Sequence, residues 1–112
     1  MNDAKRCDLC RREVRLLTQH HLIPRTTHKR MKKRESYTQE ELNRVILTCP
    51  PCHKNIHASL TEKELADEYN TVAKLLAYPA ISRFTDWVRK QDDAPIRVRS
   101  SKDKQQRKKE NR

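Results

Sequence analysis

Apolar positions along this chain fall in short clusters whose spacing changes from one region to the next. Val14, Leu16 and Leu22 are spaced to face inward from an extended segment over residues 13–22, which Pro24 ends. Residues 25–34 show no apolar period, and six of the ten are Lys or Arg with no acid among them, so a basic loop is expected there. Val45-Ile46-Leu47 is a compact, β-branched run that predicts a short buried strand over residues 44–48. Helical spacing follows. Residues 52–60 predict a helix carrying His53 and His57, and Leu65, Tyr69, Val72 and Leu76 form a one-sided stripe that predicts a single amphipathic helix. Ile81, Phe84, Trp87 and Val88 predict one more, with Pro79 suited to its first position.

Local start signals agree with these elements. Thr38 precedes Glu41 by three residues, and Thr61 precedes Glu64 by three, each fitting the S/T-x-x-E capping box of a helix N-terminus. Residues 1–6 are expected to fray. Residues 92–112 hold eight Lys or Arg and four Asp or Glu with little apolar content, which predicts a disordered basic tail. The folded part is thereby expected to divide into a core over residues 7–60 and a helical extension over 61–91. No internal repeat is visible. The chain contains no glycine, so any turn that needs a positive φ must place another residue there at some cost.

Composition sharpens the picture. The length of 112 residues is that of one domain, and only 34% of residues are hydrophobic against 37% charged. A core this thin usually needs a metal or disulfides. The N-terminus has no apolar stretch of a secretory signal, and no apolar run approaches the ~20 residues of a membrane span. A cytoplasmic protein is therefore expected, with reduced thiols and no membrane partner. A net charge of +11 is the electrostatic footprint of a nucleic-acid binder, although an anionic membrane surface or a ribosomal neighbour would share it.

Four cysteines form two C-x2-C knuckles, Cys7 with Cys10 and Cys49 with Cys52. Each pair can present two thiolates from one tight turn, so a four-cysteine structural zinc site is expected, closed to water and substrate. One or two disulfides would be the alternative, disfavoured in a reducing compartment. If the knuckles converge, the start of the His53 helix is held against the segment carrying His20 and His21. His53 and His57 are four apart on one helix face, close enough to share a metal. His20 and His21 are neighbours on an extended segment and point to opposite sides, so one should ligate a metal and the other stay free to take a proton.

The run His20-His-Leu-Ile-Pro24, followed by Cys49-Pro-Pro-Cys-His53 and Ile56-His57, resembles the zinc-knuckle subset of the HNH endonucleases. The resemblance covers roughly residues 7–58. It implies an α+β fold: a ββα-metal core stapled by the cysteine site, with C-terminal helices added. By that resemblance His21 matches the general base, and His20, His53 and His57 match ligands of one catalytic divalent cation, Mg2+, Mn2+, Ni2+ or Zn2+. The implied activity is metal-dependent hydrolysis of DNA phosphodiester bonds, with no small-molecule cofactor. Arg25, Lys29, Arg30, Lys32, Lys33 and Arg34 would line the phosphate backbone. The family's central Asn has two candidates and no clear match, Asn43, six residues before Cys49, and Asn55, between the two helix histidines, and Arg11 stands where a glycine often follows the first knuckle. A non-catalytic zinc-binding docking module for nucleic acid is the main rival, since it explains the charge and the cysteines but not the histidines. A helical partner surface over residues 65–88 is a second.

Overall fold

The computed structural model describes residues 5–35, 37–93, 96, 98 and 104, without the side chains of residues 34 and 35. Among them, two strands and six helices make a small α+β arrangement. Strand β1, Thr18–His21, pairs antiparallel with β2, Val45–Thr48, in the register Thr18 to Thr48, Gln19 to Leu47, His20 to Ile46 and His21 to Val45. Between them lie a 3-10 turn at Arg25–Thr27, helix α1 at His28–Glu35 and the short α2 at Gln39–Leu42. After β2 come α3 at Pro50–Ser59, α4 at Glu62–Asp67, α5 at Val72–Ala77 and α6 at Pro79–Val88. Helix α6 packs against both α3 and α5. No helix of the described residues is long and apolar enough to cross a membrane.

Both capping boxes form as the spacing predicts. Thr38 and Thr61 each accept a bond from the backbone N–H three residues on, and Glu41 and Glu64 return one to the cap. The prolines behave likewise: Pro79 opens α6, and Pro50 and Pro51 open α3 two residues ahead of the expected start, where a missing N–H costs nothing. The alternation predicted for residues 13–22 is only partly present. Val14 and Leu22 are buried, but Leu16 is 60% exposed, because the chain turns between the knuckle and Thr18 before pairing begins. The sheet is also not buried on both faces. Ile46 and Thr48 point into the core, whereas Val45 is 38% exposed and Leu47 41%. A two-stranded ribbon has one covered face, so a β-branched run alone does not decide how much of it is sealed.

Two helix expectations are corrected. The basic segment over residues 25–34 is not a loop but the 3-10 turn followed by α1. Its anchor is Met31, buried with Ile23, Leu42 and Ala66 in a satellite cluster apart from the main core. Burying one methionine contributes about 1.5–3 kcal/mol, enough to seat a two-turn helix on which Lys29, Lys32 and Lys33 are exposed. The stripe Leu65, Tyr69, Val72, Leu76 does not lie on one helix. The chain breaks between α4 and α5, where Asn70 Nδ2 donates to the Ala66 carbonyl and Thr71 caps α5 through Lys74 N–H. Short polar side chains that satisfy the backbone locally compete with helix continuation. Arg6 bridges to Glu13 and ion-pairs with it at 2.7 Å, and Asp93 accepts the Arg15 backbone N–H. Ile96 packs on the core, and most of the expected basic tail lies outside the described residues.

Candidate metal centre

The two knuckles converge. Cys7, Cys10, Cys49 and Cys52 are all buried and none is in a disulfide. Their sulfur atoms lie within 4.8 Å of one another, with Cys10 Sγ and Cys49 Sγ 3.9 Å apart. Four sulfurs bound 2.3 Å from a tetrahedral metal sit about 3.8 Å apart, so the spacing suits a zinc-like ion and is far too long for a disulfide. The Leu9 and Cys10 backbone N–H groups both donate to Cys7 Sγ at 3.4 Å, stabilising a negative sulfur. Hydrogen bonds from Cys10, Cys49 and Cys52 hold the Cys7 thiol well below its ordinary range, and Cys10 and Cys52 bring Cys49 down to about 6. Cys10 is pushed up, mainly by Cys49, and Cys52, mainly by Cys10. Four buried sulfurs packed this closely could hold a metal ion. The knuckle also ties the sheet: Asp8 N–H donates to the Leu47 carbonyl at 2.7 Å, and Leu47 N–H returns a 2.8 Å bond to Asp8 Oδ2.

The turn that closes the first knuckle places Arg11 at φ 65°, the one positive φ among the described residues. The position expected to want a glycine thus adopts the backbone a glycine would, in a chain that has none.

Because the cysteines hold β2 and the start of α3 together, the histidines meet as expected. His20 faces inward from β1, and His53 and His57 project from one side of α3. Ring centroids are 5.3 Å apart for His20 with either partner and 5.1 Å for His53 with His57. One ring nitrogen from each lies within 4.8 Å of the others, a group that could hold a metal ion. His20 is 1% exposed, and neither of its ring nitrogens has a hydrogen-bond partner among the described residues. Burial, then the charges of His57, His53 and His21, lowers its pKa to about 3. Burial also lowers His53 and His57. The cluster is thus kept neutral, the form in which imidazole ligates metal.

His53 is oriented from behind. Thr18 Oγ1 lies 2.9 Å from His53 Nδ1 and donates its own hydrogen to the Thr48 carbonyl at 3.1 Å. With that hydrogen on the Thr48 carbonyl, the Thr18 oxygen can accept from Nδ1–H, the tautomer that leaves Nε2 of His53 with the free lone pair. His21 lies on the other side of β1 from His20, partly exposed, on a cleft of about 270 Å³ that it lines with Gln19, Arg25, His53, His57 and Glu62.

The expected phosphate-binding residues divide into groups. Arg25 lines the cleft, while Lys29, Lys32 and Lys33 are exposed on α1. Arg30 is occupied in the fold: it ion-pairs with Asp67 at 2.9 Å and joins α1 to α4. The side chain of Arg34 lies outside what is described. Asn43 caps α2, exposed, with its Oδ1 accepting from Gln39 Nε2 at 3.2 Å, and among the described bonds its side chain reaches neither the sheet nor the histidines. Three contributors escaped the sequence. Thr18 braces His53, and Glu62, bonded to Thr26 at 2.5 Å, brings a carboxylate to the cleft. Lys104 Nζ donates to the His57 carbonyl and stands beside Glu62. Glu62 carried one weak signal, its place in the first turn of a capped helix five residues after His57.

No protein-family model matches the chain, and no solved structure matches it. Among curated proteins it is 38% identical over 103 residues to the uncharacterized protein YisB of Bacillus subtilis (strain 168), a match spanning 92% of this chain and 91% of that protein. With both chains covered almost end to end at that identity, this protein belongs to the same family as Bacillus subtilis YisB.

Proposed function

We propose that this protein is a metal-dependent nuclease of the HNH type, with zinc in the cysteine cluster and one divalent cation at His20, His53 and His57. The observation that carries the reading is His20: an imidazole buried at the meeting point of two others, with neither nitrogen bonded among the described residues. A buried polar group without a partner is costly, and a cation shared by the three imidazoles removes that cost. The all-imidazole donor set suits later transition metals better than Mg2+. When bound, such a cation supplies Lewis acidity toward a phosphoryl oxygen.

The chain's own residues do the rest. Arg25 and the exposed lysines of α1 hold the DNA backbone by charge, and the cleft places one phosphodiester between Arg25 and the His53–His57 face. His21, free of the ligand set, takes a proton from water as the new P–O bond forms and the bond to the leaving oxygen breaks. Thr18 keeps His53 in the ligating tautomer. The cysteine cluster, already filled by four thiolates, takes no part in the chemistry and keeps the elements in register.

A plasmid-nicking assay tests this, with Mg2+, Mn2+, Ni2+ or Zn2+ added after mild chelation. Wild type should cleave with at least one metal, and His21→Ala should lose about 100-fold or more in rate while keeping its fold and DNA affinity. A His21→Ala rate within a few-fold of wild type removes His21 as the base. Failure of wild type to cleave with any metal, despite tight and salt-sensitive binding, selects the docking-module reading instead.

A further inference from the structure

Arg12 is the one Lys or Arg buried among the described residues, at 8% exposure. Its Nη1 donates to the carbonyls of Gln91, at 3.2 Å, and Asp92, at 2.7 Å, just beyond the end of α6. Its Nε and Nη2 are sealed from solvent and have no hydrogen-bond partner among the described residues. Arg12 follows Cys10 by two residues and its carbonyl accepts the Cys7 N–H at 3.1 Å, so it sits on the knuckle itself; burial works against its charge, and the Cys49 and Cys10 thiols, two of the four in the cluster, favour it. A divalent ion held by four thiolates leaves two negative charges in a buried pocket, and such charge needs a nearby cation or N–H donors. A cation with two unused N–H groups already stands beside two of the sulfurs.

We propose that Arg12 is the positioning counter-cation of the cysteine-held metal, turning Nε–H and Nη2–H to the Cys49 and Cys10 sulfurs while Nη1 grips the end of α6. The inference rests on the cysteine cluster binding a metal. It makes one side chain common to metal retention and to the seating of the C-terminal helix. Arg89 serves as an internal control: its Nε donates to the Cys10 carbonyl at 2.9 Å, so it joins α6 to the same knuckle without touching a sulfur.

Cobalt(II) added to the full-length, metal-stripped protein is the probe. Its sulfur-to-cobalt charge-transfer band reports on the cysteine cluster alone, because the histidine cluster has no sulfur to produce it. Arg12→Gln should move that band to longer wavelength, since sulfurs relieved of two N–H donors hold their electrons less tightly. Cobalt affinity by chelator competition should fall about 10–100-fold. Arg12→Lys, which keeps the charge, should shift the band part of the way and recover part of the affinity, and it carries the same test if the glutamine variant does not fold. Arg89→Ala should leave the band in place. An unmoved band in Arg12→Gln or Arg12→Lys overturns the proposal, as do equal shifts in Arg12→Gln and Arg89→Ala, which would mark a packing effect. A wild type that gives no sulfur band at all overturns the metal reading of the cluster along with it; a wild-type band that ignores Arg12 overturns the role of Arg12 only.

Discussion

The cysteine cluster and the histidine cluster each keep every ligand atom within 4.8 Å of the others, but their surroundings differ. The four cysteines are all buried, supply a complete tetrahedral set and sit where the N-terminal knuckle, β2 and the start of α3 join. The three histidines leave a tetrahedral ion one position short, and two of them open onto a cleft with Arg25, His21 and Glu62. A closed site can only hold the chain together, whereas a site with a vacant position can also meet a ligand. The same pair of elements, β1–β2 and α3, carries both, so one cluster positions the other.

The sharpest way to break that comparison is to damage each cluster in turn. Cys49→Ser removes a ligand from the buried staple, and since structural zinc contributes about 10–16 kcal/mol in zinc-finger peptides, this variant should lose its cooperative fold. On the proposed reading, His57→Ala should lose one bound metal and the cleavage activity while keeping zinc in the cysteine cluster and a cooperative melt. Thermal unfolding by circular dichroism and metal content by mass spectrometry read both. If His57→Ala unfolds as completely as Cys49→Ser, the division into a structural and a chemical site is wrong.

Acid should act on the histidine cluster next. His20 has a folded pKa of about 3, lowered by burial, against an ordinary value of 6.5. Below 6.5 the unfolded chain binds a proton that the folded chain refuses until about pH 3, so stability is full above 6.5 and falls as the pH drops through that window. The loss from His20 alone is on the order of 5 kcal/mol across the window. Urea unfolding at pH 7 and pH 4.5, wild type beside His20→Leu, checks it: the leucine variant, with nothing to protonate at that position, should lose less on acidification. Equal losses would show that His20 does not govern the response.

How much of this was readable beforehand depended on how local each signal was. The knuckles, the capping boxes, and the i, i+4 pair His53 and His57 are short-range patterns, and each took the expected form. The convergence of His20 with that pair could be inferred because the cysteines, not the histidines, enforce it. Helix α1 was missed because its one buried anchor, Met31, makes no period in a run of cations. The break between α4 and α5 was missed because Tyr69 and Val72 continue a helical spacing that Asn70 and Thr71 override through their own backbone bonds. Thr18 and Arg12 make contacts that reach 35 and 79 residues along the chain, which no spacing rule foretells.

A smaller change sharpens the contrast from the histidine side. Thr18→Val removes the hydroxyl that fixes His53 while keeping the β-branched shape of the strand. Metal affinity at the histidine cluster should fall about 10-fold, and stability by about 1 kcal/mol, with zinc in the cysteine cluster unaffected. Calorimetric titration with Ni2+ on zinc-loaded protein measures it; an unchanged affinity would mean that His53 needs no bracing from β1.

The smallest expected effect lies in the knuckle and has the opposite sign. Arg11 holds φ at 65° in a turn where its Cβ crowds the backbone, a conformation that costs a non-glycine residue about 1–2 kcal/mol. Its backbone N–H donates to the Cys7 carbonyl at 2.9 Å, and its carbonyl accepts from Arg6 Nη1 at 3.1 Å; a glycine would keep both bonds. Its side chain makes only an exposed 3.8 Å ion pair with Asp8, of little energetic weight. Arg11→Gly should therefore raise stability, by less than the full relief of strain because glycine also gives the unfolded chain more freedom; about 0.5–1 kcal/mol remains. Denaturant midpoints of the zinc-loaded proteins decide it. A gain would show that the metal holds this turn against backbone strain, whereas a loss would mean that the arginine side chain matters to the knuckle in a way its exposed ion pair does not express.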